Sequence, residues 1–169
     1  MSEMSREHID KLVAELAERL LAEEILLATA ESCTGGGISE ALTARAGSSR
    51  WFDCGFVSYS NSAKSRLLNV PESLFDLPGP GAVSEEPALA MARGALANSR
   101  AELAVAVTGI AGPDGGSKEK PVGTVWIAWQ WQQQALAHCF HFRGDRATVR
   151  LATIVAALEG LLSLLGGNS

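Results

Sequence analysis

Three short segments hold most of the side chains in this chain that could do chemistry. The first, Ala30-Glu31-Ser32-Cys33-Thr34-Gly35-Gly36-Gly37, sets hydroxyls and a thiol beside consecutive glycines. It lies between an apolar run and a helix start, where backbone N–H and Oγ groups attract phosphate, carboxylate or an oxyanion. Ser and Thr are also ordinary helix caps, so this segment needs partners before it means more. The second constellation is Gly47-Ser48-Ser49 followed by Tyr59-Ser60-Asn61-Ser62-Ala63-Lys64. The third is the loop Thr108-Gly109-Ile110-Ala111-Gly112-Pro113-Asp114-Gly115-Gly116. Hydrolysis by nucleophilic attack needs an activated nucleophile, a proton shuttle and donors for the oxyanion. All three can be drawn from these segments.

Lys64 is the best base on offer. It lies about four residues into a helix capped by Ser60, near the positive end of the macrodipole. That field and burial both disfavour the ammonium form and lower the lysine pKa. A neutral lysine can take a proton from a serine, although most lysines are simply solvated. For the nucleophile, Ser49 and Ser32 are both candidates, each preceded or followed by glycine that lets backbone approach a ligand. Cys33 is a third nucleophile to consider, but a free cysteine in such a turn more often packs as a small hydrophobe. The histidines are His8, on an amphipathic helix, and His138 and His141, three apart on a strand and so on opposite faces. They support neither a Ser-His-Asp triad nor a metal site. The Gly109–Gly116 loop lacks the Lys-Ser/Thr ending of a P-loop and the G-x-G-x-x-G spacing. Its glycines, with Thr108, Gly109 and Gly112, suit backbone contacts to a ribose phosphate. Arg146, after Gly144-Asp145 at the start of the last helix, could take that phosphate bidentately.

Ala-Glu-Ser-Cys-Thr-Gly-Gly, Tyr-Ser-Asn-x-x-Lys and Gly-Ile-Ala-Gly-Pro-x-Gly-Gly, in this order, resemble the CinA C-terminal domain family. The resemblance runs from about residue 5 to the last helix. It implies nicotinamide-nucleotide amidase activity, converting nicotinamide mononucleotide and water to nicotinic acid mononucleotide and ammonia in pyridine nucleotide recycling. It also implies a Ser/Lys dyad, assigned as Ser49 nucleophile and Lys64 base. Ser32 and Tyr59 would then assist by hydrogen bonding, and Thr34, Gly35 and Gly36 would offer N–H groups to the substrate. No metal or organic cofactor is implied. Larger family members carry an extra N-terminal domain for which this chain has no room, so a stand-alone form is expected. The rival readings are a non-catalytic interaction module, since the family name comes from competence and DNA-damage contexts, or an amidase for another small amide.

With 169 residues the chain is expected to be a single domain, 1–169, large enough for a real core. Fourteen basic against nineteen acidic residues leave no basic stripe, which argues against nucleic acid as a partner. Residues 1–24 lack the apolar stretch of a signal peptide, and no run is expected to approach the length of a membrane span. Three unclustered cysteines argue against a disulfide framework or a Cys-x-x-Cys zinc site, and point to the cytoplasm. Exposed apolar patches on so glycine-rich a fold would point to a homo-oligomer.

The elements that must position these residues follow from periodicity. Ile9, Leu12, Val13, Leu16 and Leu20 share one helical face, predicting a helix over 5–22. Strands are expected at 24–30, 52–58 and 102–107, and a helix at 34–45. A short helix capped by Ser60 or Asn61 must end before Pro71. Residues 71–83 read as a loop, and Ser84-Glu85-Glu86-Pro87 as a capped helix start running to about Asn98. Residues 122–131 and 135–142 read as a hairpin turning at Gln132-Gln133-Gln134, followed by a helix over 145–165. Alternating strands and helices imply a three-layer α/β/α sandwich around a mixed, mostly parallel sheet of about five strands. Ser32, Lys64 and Thr108 would then meet beyond the carboxyl ends of the strands, where open sheets bind ligands.

Overall fold

Residues 103–107, Leu-Ala-Val-Ala-Val, alternate large and small side chains, and that alternation sets how the layers pack. A strand sends successive side chains to opposite faces. One face here carries Leu103, Val105 and Val107, and the other carries Ala104 and Ala106. The computed structural model describes residues 3–166, with side chains from residue 5 onward, and the same division runs across its sheet. Residues 1, 2 and 167–169 of the expected single domain lie outside the described residues.

The chain forms α1 (Glu3–Ala22), β1 (Leu27–Glu31), α2 (Gly37–Thr43), β2 (Phe52–Val57), α3 (Asn61–Leu68), α4 (Glu85–Ala97), β3 (Leu103–Gly109), β4 (Thr124–Trp131), β5 (Gln134–His141) and α5 (Arg146–Gly166). The sheet order is β2-β1-β3-β4-β5. β1 is parallel to both β2 and β3, while β4 and β5 join antiparallel. On the large-residue face, Leu27, Leu103, Val105, Val107, Val125 and Ile127 pack against α1, α2 and α5. On the other face, Ala28, Ala30, Ala104, Ala106 and Ala128 meet Leu68 of α3 and the alanines and Met91 of α4. This is the expected three-layer sandwich with a mixed five-stranded sheet.

Several boundaries move for local reasons. β1 begins at Leu27 and not at 24, because Glu24 takes a left-handed turn with φ 55°. α2 begins at Gly37 and not at 34, because residues 32–36 form a tight turn closed by Gly35 N–H to Ser32 O and Gly37 N–H to Thr34 O, both 3.0 Å. The hairpin turns on Gln132-Gln133 alone, since Gln134 already pairs with Trp131. Ser84 precedes α4, yet its hydroxyl donates to Pro80 O at 2.9 Å and caps no amide. The expectation that nothing approaches a membrane span fails for α5, whose 21 residues are long and apolar enough by length and composition. Its Val149, Leu158, Leu161 and Leu162 nevertheless pack into the core. β5 is an edge strand whose side chains are largely exposed on both faces.

Candidate active site

The carboxyl ends of β1, β2 and β3 lie along one edge of the sheet, and the first constellation meets the Tyr59–Lys64 part of the second there. Ser32 leaves β1 with its N–H on Val107 O of β3 at 3.1 Å. Across β2, α3 opens with Ser60, whose Oγ accepts the Ala63 amide at 3.0 Å, as a serine cap should. That cap aims the first turn of α3 so that Lys64 points back over the strand ends. Its Nζ donates to Ser32 Oγ at 3.0 Å and to Tyr59 O at 2.9 Å. Lys64 is only 2% exposed. Burial holds its amine below the ordinary lysine value, with Cys33 opposing to a lesser extent. A serine hydroxyl and a buried amine with reduced basicity, in direct contact, can pass a proton between them.

The turn after Ser32 is held from beneath by Glu31, which points to the opposite face of the sheet and is fully buried. Its Oε1 accepts Thr34 Oγ (2.6 Å) and Ile38 N–H (2.8 Å). Its Oε2 accepts Ser39 N–H (2.9 Å) and Ser39 Oγ (2.7 Å). Four donors fill the acceptor positions of its two oxygens. The anion expected at the N-terminus of α2 is therefore the protein's own glutamate, and a substrate must use the turn itself. Of the three N–H groups assigned to substrate, that of Gly35 is spent on Ser32 O. The amides of Thr34 and Gly36 have no acceptor among the described residues. Gly36 needs to be glycine, because its φ of 99° is strained for any side chain.

The third constellation closes the other flank. Arg146, the first residue of α5, donates to Gly112 O at 2.7 Å and to Tyr59 OH at 3.0 Å. One guanidinium thus ties the glycine loop to the exposed Tyr59 ring. Arg150, one turn on, donates to Thr34 O at 2.9 Å and braces the Ser32 turn. Thr108 is buried beside Ser32 and donates to Ala82 O at 3.0 Å, and Gly109 ends β3 beneath the loop. Cys33 is buried in the large-residue core, and desolvation pushes its thiol up to about 11, so it packs beneath the turn as a poor nucleophile.

The structure does not bring Ser49 to this site. Ser49 is exposed in a 3-10 turn, Ser48–Arg50, that leads into the amino end of β2. Lys64 lies beyond the carboxyl end of the same strand, and six residues at ~3.3 Å each separate the two edges by about 20 Å. The pairing of Ser49 with Lys64 is therefore corrected: the serine in contact with the lysine is Ser32. His138 stacks edge-on with Trp129 and Phe140, whereas His141 lies near Thr124 and Cys139 on the other face of β5. Among the described residues no group of three or more His, Cys, Asp or Glu side chains could hold a metal ion. Two cavities of about 510 and 640 Å³ lie between β5 and α5, and neither is lined by Ser32 or Lys64. Residue types together with the family resemblance pointed to Ser32, Tyr59, Lys64 and Arg146, but not to the supporting roles of Glu31 and Arg150. Arg150 had a signal, since it is four residues after Arg146 and shares its helix face.

Comparison with known proteins identifies the family. The family model described as CinA C-terminal domain matches residues 9–165. A nicotinamide-nucleotide amidohydrolase PncC of Pseudomonas putida is 54% identical over 92% of this chain and 96% of its own length. A CinA-like protein of Geotalea daltonii is also 54% identical over 92% of this chain, which there matches only 36% of the longer relative. The crystal structure of the competence/damage inducible protein CihA from Agrobacterium tumefaciens superposes with a TM-score of 0.89 at 47% identity, covering 93% of this chain and 95% of that one. By sequence, by fold and by the motifs gathered at the carboxyl edge of its sheet, the chain belongs to the CinA C-terminal domain family.

Proposed function

We propose that this protein hydrolyses the carboxamide of nicotinamide mononucleotide, with Ser32 as nucleophile and Lys64 as its base. The observation that carries the reading is the buried 3.0 Å contact between Ser32 Oγ and Lys64 Nζ at the ligand-binding edge of the sheet. The substrate class is supported by the relative of 54% identity named a nicotinamide-nucleotide amidohydrolase. Neutral Lys64 accepts the Ser32 hydroxyl proton as Oγ bonds to the carboxamide carbon and the carbonyl electron pair moves onto oxygen. The free amides of Thr34 and Gly36 receive that oxyanion. The intermediate collapses as the C–N bond breaks, the nitrogen takes the proton from Lys64, and ammonia leaves an acyl ester on Ser32. Water then gives a proton to Lys64 and attacks the ester, and Ser32 recovers its proton as the acid departs.

Arg146, Tyr59 and the loop around Gly109 and Gly112 form the binding flank, with Arg146 taking the phosphate. No metal or organic cofactor enters these steps. Residues 1–169 act as one domain in pyridine nucleotide recycling, in the cytoplasm, a location supported by three free cysteines. Self-association is supported by β5, an edge strand without Asp, Glu, Lys, Arg or proline to block pairing. Purified protein should release ammonia from nicotinamide mononucleotide and leave free nicotinamide largely untouched. Ser32→Ala should abolish turnover while Ser49→Ala retains it. No release above a heat-killed control from pH 6 to 10 would favour the non-catalytic reading, and release from other carboxamides alone would reassign the substrate.

A further inference from the structure

Ser58, which follows β2, is fully buried, and its Oγ has no hydrogen-bond partner among the described residues. An unpaired buried hydroxyl destabilises a fold, because its bonds to water are lost and not replaced. On stability alone, alanine would serve better here.

Its position suggests a use. Ser58 N–H donates to Glu31 O at 2.9 Å, and Ser32 N–H donates to Val107 O. These bonds extend by one residue the parallel registers Glu31↔Val57 and Glu31↔Val107. Ser58, Ser32 and Thr108 therefore stand abreast at the ends of β2, β1 and β3. The alternation that sends Cys54, Phe56, Ala28, Ala30, Ala104 and Ala106 toward α3 and α4 puts all three on that face. Lys64 reaches the row from α3. Its Nζ sits between Ser32 Oγ, across from Ser58, and the carbonyl of Tyr59, the residue after Ser58. Those contacts use two of the three donors of an ammonium group.

We infer that Ser58 is a positioning residue for Lys64, turning its hydroxyl to accept the third N–H of the ammonium formed when Lys64 takes the Ser32 proton. The inference rests on the Ser32–Lys64 reading above. A serine hydroxyl reorients by rotation about χ1, with no backbone movement. No proton is transferred to Ser58, which only accepts. Because the bond is made to the charged amine, it favours the intermediate over the resting pair and acts on turnover more than on substrate binding.

The test compares wild type, Ser58→Ala and Ser32→Ala in ammonia release from nicotinamide mononucleotide across pH, together with thermal melting. Ser58→Ala should melt at or above the wild-type temperature and keep KM within about twofold, while kcat falls about tenfold, the size of one hydrogen bond to a charged donor. The acid limb of its pH profile should move to lower pH by about half a unit to one unit, because an ammonium deprived of an acceptor loses its proton more readily. If Ser32→Ala is inactive while Ser58→Ala keeps full kcat and an unmoved acid limb, this inference fails and the dyad stands. An active Ser32→Ala overturns both. A lower melting temperature for Ser58→Ala, without a shift of the acid limb, assigns Ser58 to packing and overturns the inference alone.

Discussion

Replacing Glu31 by glutamine removes one charge and one acceptor oxygen from beneath the Ser32 turn, and the consequences can be worked out bond by bond. The amide keeps one oxygen and exposes an NH2 where the other stood. Against Oε1 stand Thr34 Oγ and the Ile38 amide, and against Oε2 stand the Ser39 amide and hydroxyl. Either orientation sets the new NH2 against a backbone N–H that cannot rotate away. One bond to a backbone amide is lost, one hydroxyl must reorient, and the two remaining bonds lose charge assistance. At ~1.5–3 kcal/mol for each bond to a charged group, and with some relief from no longer burying an unpaired charge, the net loss is about 3 kcal/mol. For a protein of this size that lowers Tm by about 6–12 °C. Differential scanning calorimetry at pH 7.5 measures it directly. Turnover should fall with it, because the Thr34 and Gly36 amides ride on the same turn. A Glu31→Gln melting temperature within about 2 °C of wild type would refute the reasoning, since the predicted loss is several times that on the same scale.

Three further outcomes follow from the site. Lys64→Arg should be as inactive as Lys64→Ala, because arginine stays protonated at any accessible pH, and steady-state rates from pH 6 to 10 check this. With a folded-state pKa below the unfolded value, Lys64 makes the unfolded chain bind more protons, so stability should rise with pH through the window between the two values; Lys64→Met should flatten that rise in parallel melts. Cys33, raised to about 11, should resist iodoacetamide at pH 8 while exposed Cys139 reacts, and Cys33→Ala should keep most of its activity, as mass spectrometry and the ammonia assay would report.

Much of the frame was legible because it is written in period and punctuation. The face Ile9, Val13, Leu16 and Leu20 is the buried face of α1, and Ser60 caps α3 as its spacing predicts. The sequence predicts a lowered pKa for Lys64 from the helix field and burial together, and burial is the leading cause. Ser49 was misplaced because residue type carries no information about which end of a strand a turn occupies. Ser49 enters the strand over 52–57 whereas Ser32 leaves the strand over 27–31, so in parallel strands the two serines must lie at opposite edges. Glu31 was hidden for a different reason. An acid at a helix N-terminus is usually sought inside the first turn, and this one arrives from the preceding strand, six residues earlier than α2 itself. Ser84 shows the limit of cap rules, since a nearby carbonyl from the 71–83 loop competed for its hydroxyl and won.

The alanine side of the sheet works as a spacer gauge. A lysine side chain has a fixed maximum reach, so Nζ meets Ser32 Oγ only if α3 rides at the right height above β1. That height is set through α4, which packs on both α3 and β1: at Gly94 a Cβ would come within 1.9 Å of Leu68 O, and Ala28 and Ala30 belong to the same core cluster. Enlarging any of these would lift α3 from the strand and draw the amine back from the hydroxyl, although none touches either group. Drift in this family is therefore expected to be freer on the large-residue face, where a change of volume is absorbed among long side chains, than under α3 and α4, where a single methyl group changes the distance across which the proton must travel.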